Sequence, residues 1–258
     1  MKSLLSAVAL ALLAACQSPA PTASASEWTP LFNGRDLDGW IPKITHYPLG
    51  EDPLHTFRVQ DGLLQVRYDG YENFEGRFGH LFFEAPFENY DLRVVYRFLG
   101  EQCPGGPGWA WRNSGVMVHG QDPRTMGEDQ DFPVSVEVQT LGSLPGRERS
   151  TGNLCTPGTH VSMGGQLHTQ HCTDSTSPPK QADAWVELRI EVRGHDTIRH
   201  YIDGELVLEY QNPVLDPNDQ EAARLLANGH PAALSSGSIS LQSESHPIDY
   251  KTVEIRVH

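Results

Sequence analysis

Apolar and polar residues alternate with a period of two over much of the chain. Leu92, Val94, Tyr96 and Phe98 interleave with Asp91, Arg93, Val95 and Arg97, and Val186, Leu188, Ile190 and Val192 interleave with Glu187, Arg189, Glu191 and Arg193. Successive side chains on a strand point to opposite faces, so each segment predicts a strand with one face in a core and the other toward solvent. Asp61-Gly62 stands between Phe57–Val59 and Leu63–Val66, and Asp203-Gly204 between Ile198–Ile202 and Glu205–Tyr210; an Asp-Gly pair between such runs predicts a hairpin. Further strands are expected over 79–83, 237–244 and 253–257, and one short helix over 221–228. Long stretches of helical periodicity are missing from the folded part, so the expected class is all-β.

Two neighbouring segments depart from the simple pattern. Trp109 to Gly120 and Val134 to Gln139 read as successive strands. The first places Asn113, Gly115, Met117 and His119 on one face and Arg112, Ser114, Val116 and Val118 on the other; in the second, Ser135, Glu137 and Gln139 oppose three valines. Gly237 to Glu244 repeats the theme, with Ser238, Ser240, Gln242 and Glu244 sharing a face. A carboxylate and an amide two residues apart on each of two strands, beside Trp109 and Trp111, suit a sugar, whose hydroxyls need paired donors and acceptors and whose ring faces pack on aromatics.

The chain has 258 residues, a length that a single large β-domain can fill. Lys and Arg total 19 against 33 Asp and Glu, giving a formal net charge of −14, a field that repels phosphate backbones and argues against a nucleic-acid partner. Residues 1–15 have the form of a signal peptide, with Lys2, an apolar run from Leu4 to Leu13, and Leu-Ala-Ala before Cys16. Those last four residues resemble a bacterial lipobox, with Cys16 as the lipidated mature N-terminus; a plain signal peptide cleaved elsewhere is the alternative. Residues 16–26 hold no large apolar side chain and read as a lipidated, disordered tether, leaving 27–258 as the domain. Gln17 is not the aspartate that retains lipoproteins at the inner membrane, so the expectation is a protein of the bacterial envelope, anchored in the outer membrane and facing the periplasm. In that oxidising compartment Cys155 and Cys172 are a plausible disulfide, with Cys103 left over and its pairing with either of them left open.

Seven short motifs carry a family resemblance in their order along the chain: Leu31 to Trp40 (LFNGRDLDGW), Asp61-Gly62-Leu63-Leu64, Asn113-Ser114-Gly115-Val116, Glu137-Val138-Gln139, Thr151-Gly152-Asn153, Asp203-Gly204-Glu205 and Gly237 to Gln242. The set resembles the 3-keto-disaccharide hydrolase domain family from about Trp28 to Val257. The resemblance implies a concanavalin A-like jelly roll of two antiparallel sheets. It also implies cleavage of glycosides already oxidised to a ketone at the sugar 3-position. Such a ketone acidifies the C2 proton, so a base can remove it and the substituent at C1 can leave by elimination, giving a lyase or, after water adds, a hydrolase. Strand phase and motif together nominate Glu137 as the base and His119 or Glu244 as the acid, with Trp109, Trp111, Arg112, Asn113, Ser114, Gln139 and Gln242 binding the substrate. The stretch between Gly142 and Lys180, with two cysteines and three histidines, departs from the minimal family pattern and reads as a long irregular loop.

His160, His168 and His171 lie in that loop and are candidate ligands for a divalent metal, with ordinary loop hydrogen bonding as the alternative. Two other functions compete: a carbohydrate-binding lipoprotein without turnover, and an ordinary retaining glycanase. The second needs two carboxylates roughly 5 to 5.5 Å apart, which Glu137 followed by Gln139 does not supply on one strand; Glu137 with Glu244 on a neighbouring strand is the pairing left open, tested by cleavage of an unoxidised glucan.

Overall fold

The computed structural model describes residues 27–181 and 183–258. The signal segment, Cys16 and the tether to residue 26 therefore lie outside the described residues. Two antiparallel sheets face each other. The larger runs Gln166–His168, Thr159–Met163, Glu205–Leu215, Thr197–Ile202, Val186–Arg193, Asn89–Phe98, Ile248–Val257, Leu63–Val66, Phe57–Gln60, with Thr29–Pro30 paired beside Ile248–Val257. The smaller runs Cys172–Thr173, Asn153–Cys155, Val136–Leu141, Asn113–Gly120, Ser238–Ser243, Gly79–Phe83, Trp40–Ile44. The expected β-sandwich is thus present, and the expected helix is Gln220–Ala227, capped by Asp219.

The alternating segments explain this arrangement. Val116, Val118, Val136, Val138, Ile239 and Leu241 from the smaller sheet and Leu92, Val94, Leu188, Ile190 and Ile255 from the larger one are buried in one core. Each fully buried aliphatic side chain contributes roughly 1.5–3 kcal/mol, and a slip of one residue would send a whole set of valines to the opposite face. Register is therefore fixed, and with it the position of Glu137 opposite Met117 and of Gln139 opposite Gly115.

Leu141 to Lys180 is not one irregular loop. It contributes Thr159–Met163 and Gln166–His168 to the edge of the larger sheet and Asn153–Cys155 and Cys172–Thr173 to the edge of the smaller. Gly164 and Gly165, both with positive φ, form the two-residue turn between the first pair, a geometry that needs φ > 0 at both central positions. Cys172 lies directly across from Cys155 and is disulfide-bonded to it, leaving Cys103 free and buried.

On the outer face of the larger sheet the predicted charge ladder is only partly solvated. Asp91 is 2% exposed and pairs with Arg193 (2.9 Å) and Arg256. Burial opposes its charge, but hydrogen bonds from Arg256 and Arg193 outweigh that and hold its carboxyl below the usual range. Asp91→Ala is expected to lower unfolding free energy by about 2 kcal/mol, the scale of charged hydrogen bonds lost from a buried acceptor. Urea unfolding checks this, with an unchanged slope and a lower midpoint as the result.

Candidate active site

The outer face of the smaller sheet carries a cleft of about 660 Å³ lined by, among others, Trp109, Asn113, Glu137, Gln139 and Glu244. Its volume is that of a ligand pocket. Strand phase delivers Glu137 and Gln139 to this face from Val136–Leu141 and Asn113 from the next strand, while Glu244 follows the end of Ser238–Ser243. Asn113, Glu137, Gln139 and Glu244, all nominated from strand phase and motif, thus meet in one cleft. Gln242 lies on the same sheet but is fully covered, and both atoms of its amide lack a partner.

The two carboxyls set the electrostatics. Glu137 and Glu244 are both buried, and among the described residues neither joins an ion pair. Burial raises the pKa of Glu137, and burial with the charge of Glu137 raises that of Glu244 well above the carboxylate range. The pair therefore favours holding a proton near neutrality, because two buried, mutually repelling carboxylates cannot both ionise cheaply. Gly115 makes the arrangement sterically feasible: a Cβ there would lie 2.6 Å from Glu137 Oε1 and 2.8 Å from its Cγ. Asn113 Nδ2 donates weakly to the carbonyl of Trp109 (3.5 Å), while its Oδ1 has no partner in the protein. Gln139 Oε1 accepts from Asn153 Nδ2 at 3.3 Å.

Other expected residues lie elsewhere. His119 does not reach the cleft. The pairing shifts between Ser238 opposite Gly120 and Ser240 opposite Met117, and this bulge, with His119 at φ 49°, turns its ring so that Nε2 donates to Gly194 O at 2.9 Å. A bulge re-aims a side chain in this way. Burial brings His119 down to about 4, so it is neutral. Arg112 also has positive φ, 52°, and donates to Ser143 O at 2.5 Å. Trp111 stands beside Arg112, which lies 5.7 Å over its ring; neither lines the cleft. Ser114 points into the sandwich, where its Oγ donates to Gln242 O at 2.9 Å. Trp109 does border the cleft, 54% exposed and stacked on Phe78 at 5.8 Å, but from a short 3₁₀ turn, Gly108–Ala110, rather than from a strand.

The segment after Gly142 supplies the opposite wall through Arg147, Arg149, Ser150, His171, Cys172 and Asp174. Arg149 fastens it by donating to the carbonyls of Trp111 (2.8 Å) and Gly142 (2.6 Å). Strand pairing sets Cys155 opposite Glu137 in the sheet, and the disulfide joins Cys155 to Cys172, so the exposed wall bearing His171 and Asp174 is tied directly to the carboxyl's neighbour. Of these wall residues the sequence flagged only His171 and Cys172; a polar, glycine-rich composition hides strands of two or three residues. The three histidines do not converge: His160 faces Asp216 at 3.4 Å, His168 pairs with Thr173 Oγ1 at 2.7 Å, and His171 borders the cleft. Among the described residues, no group of three or more His, Cys, Asp or Glu side chains is arranged to hold a metal ion.

Solved structures share this architecture. A Parabacteroides distasonis protein whose name records a suspected glycosyl hydrolase superposes with a TM-score of 0.53 at 18% identity, covering 90% of this chain and 100% of the other. A Bacillus subtilis protein of unknown function with a galectin-like fold gives 0.53 at 12% identity over 90% of this chain and 94% of that one. At these identities the likeness concerns the fold. No curated protein sequence matches the chain significantly. The 3-keto-alpha-glucoside-1,2-lyase-like domain, in contrast, matches residues 27–256, nearly all of the described chain, and the protein accordingly belongs to that domain family.

Proposed function

We propose that the chain cleaves glycosides carrying a ketone at the sugar 3-position, by elimination between C2 and C1. The observation that carries this reading is the pair of buried carboxyls, Glu137 and Glu244, facing one cleft and raised by their surroundings. Elimination needs a base whose pKa lies near the operating pH and an acid that still holds its proton there. Glu137, as carboxylate, takes the C2 proton, and the electron pair of that C–H bond moves into an enolate on the C3 oxygen. The enolate then collapses to a C1–C2 double bond, the C1–oxygen bond breaks, and the departing oxygen takes the proton of Glu244. Asn113 and Gln139 orient the ring, and Trp109 offers its exposed face for stacking. His119, expected as an alternative acid, is replaced in this scheme by Glu244, since the bulge takes its ring away.

A matched pair of substrates tests the reading. A 3-keto-glucoside should release its aglycone and give an unsaturated ketone absorbing in the ultraviolet, while the parent glucoside should remain intact. Cleavage of the parent would instead assign Glu137 and Glu244 to a retaining glycanase. Binding of both without turnover would leave a carbohydrate-binding protein.

A further inference from the structure

Directly across the smaller sheet lies one row of positions: Lys43 beside His80, His80 beside Gln242, and Gly115 beside Gln139, with Leu241 opposite Val116 bringing Gln242 abreast of Gly115. At the Gln139 end the row opens into the cleft. Beyond Gly115 it continues under a roof, the segment from Gln121 to Pro133, whose Phe132 ring stands 5.9 Å from that of His80. Beneath that roof His80, Ser240 and Gln242 are completely buried. Both ring nitrogens of His80, both amide atoms of Gln242 and the hydroxyl of Ser240 have no partner within the protein.

Five such atoms in one patch are costly, since a buried polar group without a partner has given up its hydrogen bonds to water and gained none in return. Apolar residues would fill the same space more cheaply, as they do on the opposite face of these strands. Burial takes His80 down to about 3, so it is neutral, with one nitrogen as donor and the other as acceptor. Together the three side chains present donors and acceptors in the mixture that ring hydroxyls require.

The roof is fastened mainly by polar contacts. Glu128 O accepts from Lys43 Nζ (2.8 Å) and from His46 N (3.0 Å), His46 Nδ1 pairs with Asp129 at 2.9 Å, Arg224 Nη2 donates to Thr125 O (2.9 Å) and Gln130 Oε1 (3.3 Å), Gln130 Nε2 donates to Gln121 Oε1 (2.8 Å), and Phe132 packs on Phe78 at 5.0 Å. Arg124, Thr125, Glu128, Asp129 and Asp131 are exposed. A segment exposed over most of its middle, with Phe132 as its one aromatic anchor on the core, belongs to the part of a fold that opens before the core strands do.

We infer that Gln242, Ser240 and His80 form an additional sugar subsite, uncovered when the Gln121–Pro133 segment lifts, and that the cleft takes oligosaccharides longer than two rings. The reaction at the adjoining ring rests on the proposed function; the subsite itself does not. Its test accordingly uses unoxidised glycans and no turnover. Gluco-oligosaccharides of two and four rings, in α-1,2, α-1,4, β-1,3 and β-1,4 linkage, are titrated calorimetrically against the full chain. At least one four-ring glycan should bind about tenfold more tightly than its two-ring counterpart. That advantage should fall to near unity in His80→Leu and, as a second variant that removes only a hydroxyl, in Ser240→Ala. The amides of 127–132 should exchange with deuterium much faster than the core strands and slow down with the four-ring glycan. No length advantage in any linkage, an advantage that survives both substitutions, or roof amides that exchange only at the rate of global unfolding would each overturn the subsite. Loss of 3-keto cleavage with the length advantage intact would overturn the proposed reaction alone.

Discussion

Glu137→Gln is expected to lower kcat on a 3-keto-glycoside by about 10³-fold, the scale of a lost general base, without loss of folding. The amide keeps the volume of the side chain and removes the group that abstracts the C2 proton. A sharper readout than turnover is exchange at C2: incubated in D₂O, the parent enzyme should place deuterium there, Glu137→Gln should not, and Glu244→Gln should still exchange while failing to expel the aglycone. Exchange that survives in Glu137→Gln would end its assignment as base. The pH behaviour has a definite sign. Activity requires Glu137 ionised, and burial raises its pKa, so the acid limb of kcat/KM should lie above the value of about 4.3 typical of glutamate. Stability runs the other way. A carboxyl whose pKa is raised on folding contributes fully below its unfolded pKa and loses that contribution as pH rises toward the folded one. Glu137→Gln should therefore melt at or above the parent temperature, with a gap that widens between about pH 5 and about pH 8. Relief of the Coulombic push on Glu244 should lower that residue's pKa, which carbon-13 NMR of its carboxyl can follow.

How much of this was legible in the sequence depends on the kind of signal. Core strands were read correctly where a period of two ran for six residues or more, as in Asn89–Phe98 and Val186–Arg193, because burial of one whole face leaves a single admissible register. The same periodicity brought Glu137, Gln139 and Asn113 to one face. It failed at Arg112 and His119, where positive φ breaks the alternation; neither residue type favours that conformation enough to betray it. Ser114 was assigned to the site although its phase already placed it with the valines. The wall formed by Arg147, Arg149 and Asp174 could not be read from periodicity, since short edge strands pair through backbone groups that every residue possesses. Gly115 offered a readable signal: a glycine inside a strand pattern marks close approach by another group, here the side chain of Glu137.

That close approach yields the second large effect. Gly115→Ala should reduce kcat/KM by about 10²-fold, the scale set by misplacing a reacting group by about 1 Å. The added methyl would meet Oε1, Cγ and Cδ of Glu137 at 2.6, 2.8 and 3.0 Å, so the contact involves most of the side chain and not its tip alone. Glu137 must then rotate toward the cleft or its strand must shift, and either move takes the carboxylate from its place on the wall it shares with Asn113 and Glu244. Stability should change less than activity: the backbone at Gly115 is not in the left-handed region, and alanine is favoured over glycine in a strand by roughly 0.5–1 kcal/mol, which offsets part of the crowding. The double variant separates a specific effect from general damage. If Gly115 acts by placing the carboxylate, Gly115→Ala adds little once Glu137 is glutamine, because the group it positions no longer abstracts a proton. Multiplied losses in the double variant would show instead that Gly115 supports the cleft independently of Glu137.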